Sequence, residues 1–286
     1  MIKLISNNGN FTIPSMTTAD QVNYSAGYLG SLSPVDRGVA VVRATVRKVK
    51  SIIGGADNRN IVYNTQKIPS RLICSLTIES DRGVTHGTGW FASPNLVVTC
   101  GHCVYSFEKM GGWAKSITVT PGRNLRKSPY GAEIATSFSS PEQWKNTENL
   151  DWDIGAIFLK RPFAQDLGWF AYGEAASAVA NQTQVYVAGY PIYSDSHKSQ
   201  LQHEGKLLAK RNNRIFHDCD TGKGQSGSPI WFWNDNETPP VAIGIHAYEA
   251  RETPVDLGIE ANSGTGLDEK FNAVIRRWCN VQTSDQ

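Results

Sequence analysis

Short apolar runs separated by turn-forming residues dominate this chain from Arg71 onward: LICSLTIE, TGWFA, LVVT, SITVT, DIGAIFL, QVYVAG, SPIWFW and VAIGIHA. The breakers between them include Ser93-Pro94-Asn95, Pro121-Gly122 and Tyr190-Pro191. Many short strands at this spacing predict a sandwich or barrel. Only the end of the chain reads differently. Phe271, Val274, Ile275 and Trp278 fall on one face of a helix. Asp268 is placed to cap that helix, and Arg276 and Arg277 suit its negative C-terminal end. The pattern predicts an all-β body closed by a C-terminal helix.

Residues 1–50 stand apart. Up to Pro34 they are polar, with few periodic apolar positions; residues 38–50 then alternate Val with Arg43, Arg47, Lys48 and Lys50 and contain no acid. That alternation suits a strand with one solvated face. The full length of 286 residues fits one all-β unit with an extension, and the composition is that of a soluble globular protein, 40% hydrophobic and 19% charged. A formal charge of +2 argues for neither nucleic acid nor an acidic membrane surface as partner. No apolar run approaches the roughly 18 residues of a membrane span. The first residues lack the hydrophobic stretch of a secretory signal, so the export route and compartment stay open.

The five cysteines are Cys74, Cys100, Cys103, Cys219 and Cys279. An odd number leaves at least one free thiol in a monomer. Cys100 and Cys103 flank His102, but zinc takes about four ligands and no second Cys/His cluster completes a set, so no metal site is expected.

Three positions carry candidate chemistry. Ser226 sits in TGKGQSGSPIW, a tight glycine-rich turn leading into an apolar strand. A nucleophilic hydroxyl needs such a turn, because nearby backbone N–H groups must converge on the developing oxyanion. The amides of Gly224 and Ser226 are the expected donors, with glycine at 224 permitting the required backbone orientation. His102, in NLVVTCGHCV, sits at a strand end and suits a general base. Asp153 opens the buried run of DWDIGAIFL, where its carboxylate can fix the imidazole tautomer; Asp151 is read as solvated. The order His, Asp, Ser on a chain of serial strands is the chymotrypsin-type order, unlike those of subtilisin and the α/β-hydrolases.

With these residues in view, the chain resembles the glutamyl endopeptidases, a bacterial branch of the chymotrypsin-like serine proteases. The resemblance rests on SIIGGADNR, HGTGWFASPNLVVTCGHCVY, TVTPGRN, DWDIGAIFL, VAGYP, DTGKGQSGSPIW and GIHA. It implies a double six-stranded β-barrel with the cleft between the barrels, and cleavage after acidic residues. It also implies that His246 and Thr221 receive the substrate's carboxylate, to which an imidazole and a hydroxyl can both donate. Asp220, beside Thr221, would reverse that preference if it faced the pocket. His203 and His217 lie in strand-like segments and are candidates to stand behind His246.

Directly before the nucleophile lies Gln225, where digestive proteases carry an Asp that pairs with the new amino terminus. The resemblance implies instead a mature amino group near the pocket, at Ser51. The expectation is a zymogen: residues 1–50 a propeptide, residues 51–286 the protease domain, with an activating protease cutting after Lys50. Some family members also pair the cysteine beside the catalytic histidine with one near Gly87, and no cysteine is present there. The resulting expectation is a secreted, monomeric serine endopeptidase acting on proteins or peptides after Glu, with Asp weaker and no cofactor. A protease of other specificity on the same fold and a non-catalytic binding module remain the alternatives.

Overall fold

The computed structural model describes residues 2–7, 26–28, 52–173, 179–192, 199–234 and 239–281. Ser51, His197 and the basic segment 38–50 lie outside the described residues. Two short strands, β1 (Leu4–Ser6) and β2 (Asn60–Ile61), precede the body of the fold. Then come β3 (Ile73–Ser80), β4 (Gly83–Ser93), β5 (Leu96–Thr99), β6 (Tyr105–Ser106), β7 (Gly112–Trp113) and β8 (Ser116–Pro121). The first half ends with β9 (Glu133–Ala135), β10 (Ser137–Pro141) and β11 (Gly155–Phe158). In the second half are β12 (Gln184–Gly189), β13 (Leu201–Arg211), β14 (Arg214–His217), β15 (Pro229–Phe232), β16 (Val241–Tyr248) and β17 (Asn262–Gly266).

Two large antiparallel sheets result, beside a small two-stranded sheet of β6 and β7. The first runs β1-β10-β11-β5-β4-β3-β8-β9. The second runs β12-β15-β16-β17-β14-β13, and pairing of β12 with β13 closes it into a six-stranded barrel, to which β2 adds on β13. The all-β, two-unit architecture is as expected, although backbone pairing closes only the second ring; the first remains a curved open sheet. Alternation decides which side chains enter each core. Val185, Val187, Leu207, Ile215, Ile230 and Ile243 fill the second barrel, while Leu76, Ile78, Trp90, Val97 and Ile157 lie in the first core.

The C-terminal helix spans Glu269–Cys279, with the Asp268 side chain accepting from Phe271 N at 3.0 Å. Phe271, Val274, Ile275 and Trp278 are all buried, and Trp278 Nε1 donates to Ser139 Oγ on β10 at 2.9 Å. Burying four such side chains contributes roughly 6–12 kcal/mol relative to exposure, enough to clamp the helix on the first sheet. The described residues among the first 50 touch this body. β1 pairs with β10, Arg277 Nη1 donates to Ile2 O, and Tyr28 bridges Trp169.

Candidate active site

One cleft of about 490 Å³ runs between the two sheets, lined by His102 and Cys103 from the first unit and by Gly224, Ser226, His246 and Tyr248 from the second. His102 belongs to a single helical turn, α1 (Gly101–Val104), that follows β5. Asp153 lies two residues before β11, and β11 pairs with β5, so strand register brings the two residues together. His102 Nδ1 lies 2.7 Å from Asp153 Oδ2, and the His102 amide donates to Asp153 Oδ1 at 2.8 Å. Asp153 has no exposed surface. Burial alone would raise its pKa, but the charge of His102 and the hydrogen bonds it receives hold it below the ordinary value. Burial likewise disfavours a charged His102, yet the Asp153 carboxylate outweighs it and raises the imidazole pKa above 6.5.

Ser226 heads the turn into β15. At Gly224 φ is +93°, and a Cβ there would sit 2.6 Å from Tyr190 O; at Gly227 φ is also +93°, and a Cβ would overlap Thr88 O. Only glycine fits either place, which explains the glycines around the serine. Neither the Gly224 nor the Ser226 amide donates to another of the described residues, leaving both available to a ligand.

Thr88 on β4 holds this turn against the first sheet. Its amide donates to Ser226 O at 2.8 Å, and its hydroxyl donates to Gly224 O at 2.9 Å while accepting from Tyr190 N at 3.0 Å. Sequence reasoning did not single out Thr88, although it lies inside the quoted HGTGWF stretch. Tyr248 was also missed: its hydroxyl donates to Asp153 Oδ2 at 2.5 Å. Nothing in its local sequence signals that role.

Gln225 finds a partner that the sequence reading did not name. Arg59 Nη1 donates to Gln225 Oε1 at 2.8 Å, and Arg59 is in turn held by both oxygens of Asp57, at 2.9 and 2.7 Å. Arg59 is buried, so the residue before Ser226 rests on an internal guanidinium. Asp57 is therefore paired; so is Glu133, which accepts from Arg161 Nε at 2.9 Å.

His246 lines the cleft, with its Nδ1 3.3 Å from His217 Nε2. Burial pushes both imidazoles down, His217 to about 3, so both are neutral at pH 7. His203 accepts at Nδ1 from Asp220 N at 2.6 Å and acts electrostatically on His217. Asp220 does not line the cleft: it is fully buried and accepts from Ile53 N and Asn58 N at 2.8 Å each. Thr221 is also fully buried and does not line the cleft, and its hydroxyl has no partner among the described residues. All five cysteines are free, and the Sγ of Cys103 faces Gly87. Cys100, His102 and Asp153 place donor atoms within 4.8 Å of one another. Those atoms are engaged in hydrogen bonds, Cys100 Sγ to His246 O at 3.2 Å and His102 to Asp153.

Comparison with known proteins places this arrangement in context. A family profile described as a trypsin-like peptidase domain matches residues 87–241. A glutamyl endopeptidase of Bacillus licheniformis is 32% identical over 235 residues, covering 81% of this chain and 70% of the relative. A Bacillus subtilis protein named extracellular metalloprotease is 32% identical over 233 residues, covering 80% and 70%. A solved structure of a Glu endopeptidase in complex with MPD superposes with a TM-score of 0.68 at 23% identity, covering 80% of this chain and 99% of that one. The chain is a serine endopeptidase of the trypsin-like peptidases and belongs to their glutamyl endopeptidase branch.

Proposed function

We propose that this protein hydrolyses peptide bonds after Glu, with Asp weaker, by a His102–Asp153–Ser226 triad, and that it is made as a secreted zymogen. The observation that carries the reading is the His102–Asp153 hydrogen bond on the wall of the cleft that Ser226 shares. In this mechanism Ser226 Oγ attacks the scissile carbonyl while His102 Nε2 takes its proton. Asp153 holds the tautomer and stabilises the imidazolium, and the Gly224 and Ser226 amides receive the oxyanion. His102 then protonates the leaving amine, and water, activated by the same imidazole, releases the acyl group.

The preference for Glu rests on His246. With both imidazoles neutral, donation from His217 Nε2 to His246 Nδ1 leaves the His246 Nε2–H free to donate to a carboxylate. The charge of the buried Arg59 reaches the same imidazole, adding positive potential behind the pocket. Thr221 is the second donor: it is buried behind Gly222, which lines the cleft, its hydroxyl has no partner among the described residues, and a shift of this turn on substrate binding presents it to the carboxylate. Activation fits the grip of Asp220 on Ile53 N and Asn58 N, because a terminus at Ser51 starts only two residues before Ile53. Its new amino group would then help neutralise the substrate carboxylate, and an outside protease cutting after Lys50 would release it.

Peptides differing only at the cleaved position test this reading on the chain beginning at Ser51. Cleavage after Glu at least tenfold faster than after Gln or Lys, lost in Ser226→Ala and unchanged by EDTA, is the expected result. Equal rates after Glu and Gln would sink the His246 pocket. A rate abolished by EDTA would favour the metal-dependent chemistry that the Bacillus subtilis relative's name carries.

A further inference from the structure

Cys100 and Cys103 bracket His102 in the sequence Cys-Gly-His-Cys, and the fold sets the two thiols on one helical turn. Cys100 is the N-cap residue of α1, with extended backbone angles (φ −71°, ψ 151°), and Cys103 is the third residue of the turn, its amide donating to Cys100 O at 3.2 Å. Cys100 makes no side-chain cap, but residues three apart on one helical turn have Cβ atoms about 5–6 Å apart and Cα atoms within the roughly 4.4–6.8 Å that a disulfide spans. The two thiols act on each other electrostatically, and His102 acts on Cys103, while Cys100 Sγ donates to His246 O at 3.2 Å. Cys103 lines the substrate cleft, with its Sγ 3.8 Å from Ser226 O, whereas Cys100 lies behind it with no exposed surface.

We propose that Cys100 and Cys103 form a redox-active dithiol, oxidised by a hydroperoxide to an intramolecular disulfide that displaces His102 and reversibly silences the enzyme. Cys103 is the attacking sulfur, because it borders the cleft and has a base beside it. Its thiolate attacks one peroxide oxygen, the O–O bond breaks, and the departing hydroxide takes the proton that left the thiol, giving a sulfenic acid and water. Cys100 then attacks the sulfenic sulfur; the S–S bond forms, the S–O bond breaks, and a second water leaves. Overall, two thiols and one hydroperoxide group give one disulfide, one alcohol or water, and one water. Interaction with Cys100 holds the Cys103 thiol below its ordinary range, with His102 adding to the effect, whereas burial raises Cys100. That asymmetry suits an attacking and a resolving thiol.

Closing the ring draws Cys103 Sγ away from His102 and re-forms the very turn that carries the imidazole. A displacement of about 1 Å in such a group costs on the order of 100-fold in rate. The remaining cysteines act as internal controls, since burial pushes Cys74 and Cys219 up and Cys279 to about 11.

The test treats the reduced protein with hydrogen peroxide, alkylates the remaining thiols, and maps cysteines by mass spectrometry alongside peptidase activity. The proposal expects loss of two hydrogens in the peptide holding residues 100–103 and at least a tenfold fall in kcat that dithiothreitol restores. In Cys100→Ala, dimedone should trap a sulfenic acid at Cys103, and no disulfide should form. Full alkylation of Cys100 and Cys103 after peroxide would overturn the proposal. So would an equal loss of activity in Cys103→Ala. The activity readout rests on the proposed function, but the mapping does not. A 100–103 disulfide in a protein that cleaves no peptide would sustain the dithiol and sink the peptidase reading instead.

Discussion

The hydroxyl of Thr88 joins the two halves of the molecule at the point where the nucleophile turn is set, and Thr88→Val removes it with little change of shape. Two buried backbone groups then lose their partners, the Gly224 carbonyl and the Tyr190 amide. Each costs about 1–3 kcal/mol when left unpaired, so the expected destabilisation is about 2–4 kcal/mol if the turn partly relaxes. At about 2–4 °C per kcal/mol for a chain of this size, Tm falls by roughly 4–16 °C. The same change frees the Gly224 peptide to rotate, misplacing an amide assigned to the oxyanion. Outright loss of such a donor costs roughly 100- to 1000-fold, so a loosened one should lower kcat by about tenfold or more with KM less affected. Calorimetry and steady-state kinetics on Thr88→Val and Thr88→Ser decide the matter. Serine keeps the hydroxyl and should retain most of kcat. A Thr88→Val enzyme with wild-type kcat and unchanged Tm would refute the reasoning.

Other perturbations test separate parts of the site. Activity needs neutral His102, whose pKa is raised by Asp153, so kcat/KM should fall as pH drops through a value above 6.5. Tyr248→Phe strips a donor from Asp153, strengthens its hold on the imidazolium, and should shift that acid limb upward by about half a unit; a downward shift would contradict the role given to Tyr248. Arg59→Met strands the buried Asp57 charge and frees Gln225, and urea titration should show a loss of about 3–5 kcal/mol. Stability within about 1 kcal/mol of wild type, on the order of the cost of an exposed pair, would count against that buried pair. Gly87→Cys places a Cβ 3.0 Å from Cys103 Sγ, close to the separation of about 3 Å found across a disulfide. Under oxidation the introduced thiol should bridge to Cys103, a bond worth about 3 kcal/mol, and abolish the peroxide response of the 100–103 pair. An introduced thiol that stays free under oxidation would be the opposite result.

Much of this molecule was written in local pattern. Strands such as Leu96–Thr99 and Gln184–Gly189 coincide with apolar runs, because half-buried or fully buried strands must be apolar where they face a core. The helix at Glu269–Cys279 followed from its period and its capping aspartate. Asn262–Gly266 escaped notice, since NSGTG carries no apolar signal even though every residue of the strand is buried. It is buried because it runs between β14 and β16, where its small residues permit close approach. The site divides in the same way. His102, Asp153 and Ser226 sit in sequence settings shaped by their own chemistry, whereas Thr88, Arg59 and Tyr248 act through partners far away in the chain. Arg59 reaches Gln225 only once β2 has added to the second barrel, and Tyr248 reaches Asp153 only after the two sheets have met; no local pattern records either event. Asp220 shows the same limit from the other side: its neighbour Thr221 pointed to the pocket, but its carboxylate turned to the backbone of Ile53 and Asn58.

The central claim is that Ser226 is a nucleophile activated by His102. A fluorophosphonate probe, which reacts only with an activated serine, tests it without any assumption about substrate. After incubation of the chain beginning at Ser51, mass mapping should find a single adduct on the peptide containing Ser226. Labelling should vanish in Ser226→Ala and slow by at least 100-fold in His102→Ala. Absence of an adduct in the folded protein, or labelling at Ser226 that is indifferent to His102, would contradict the account.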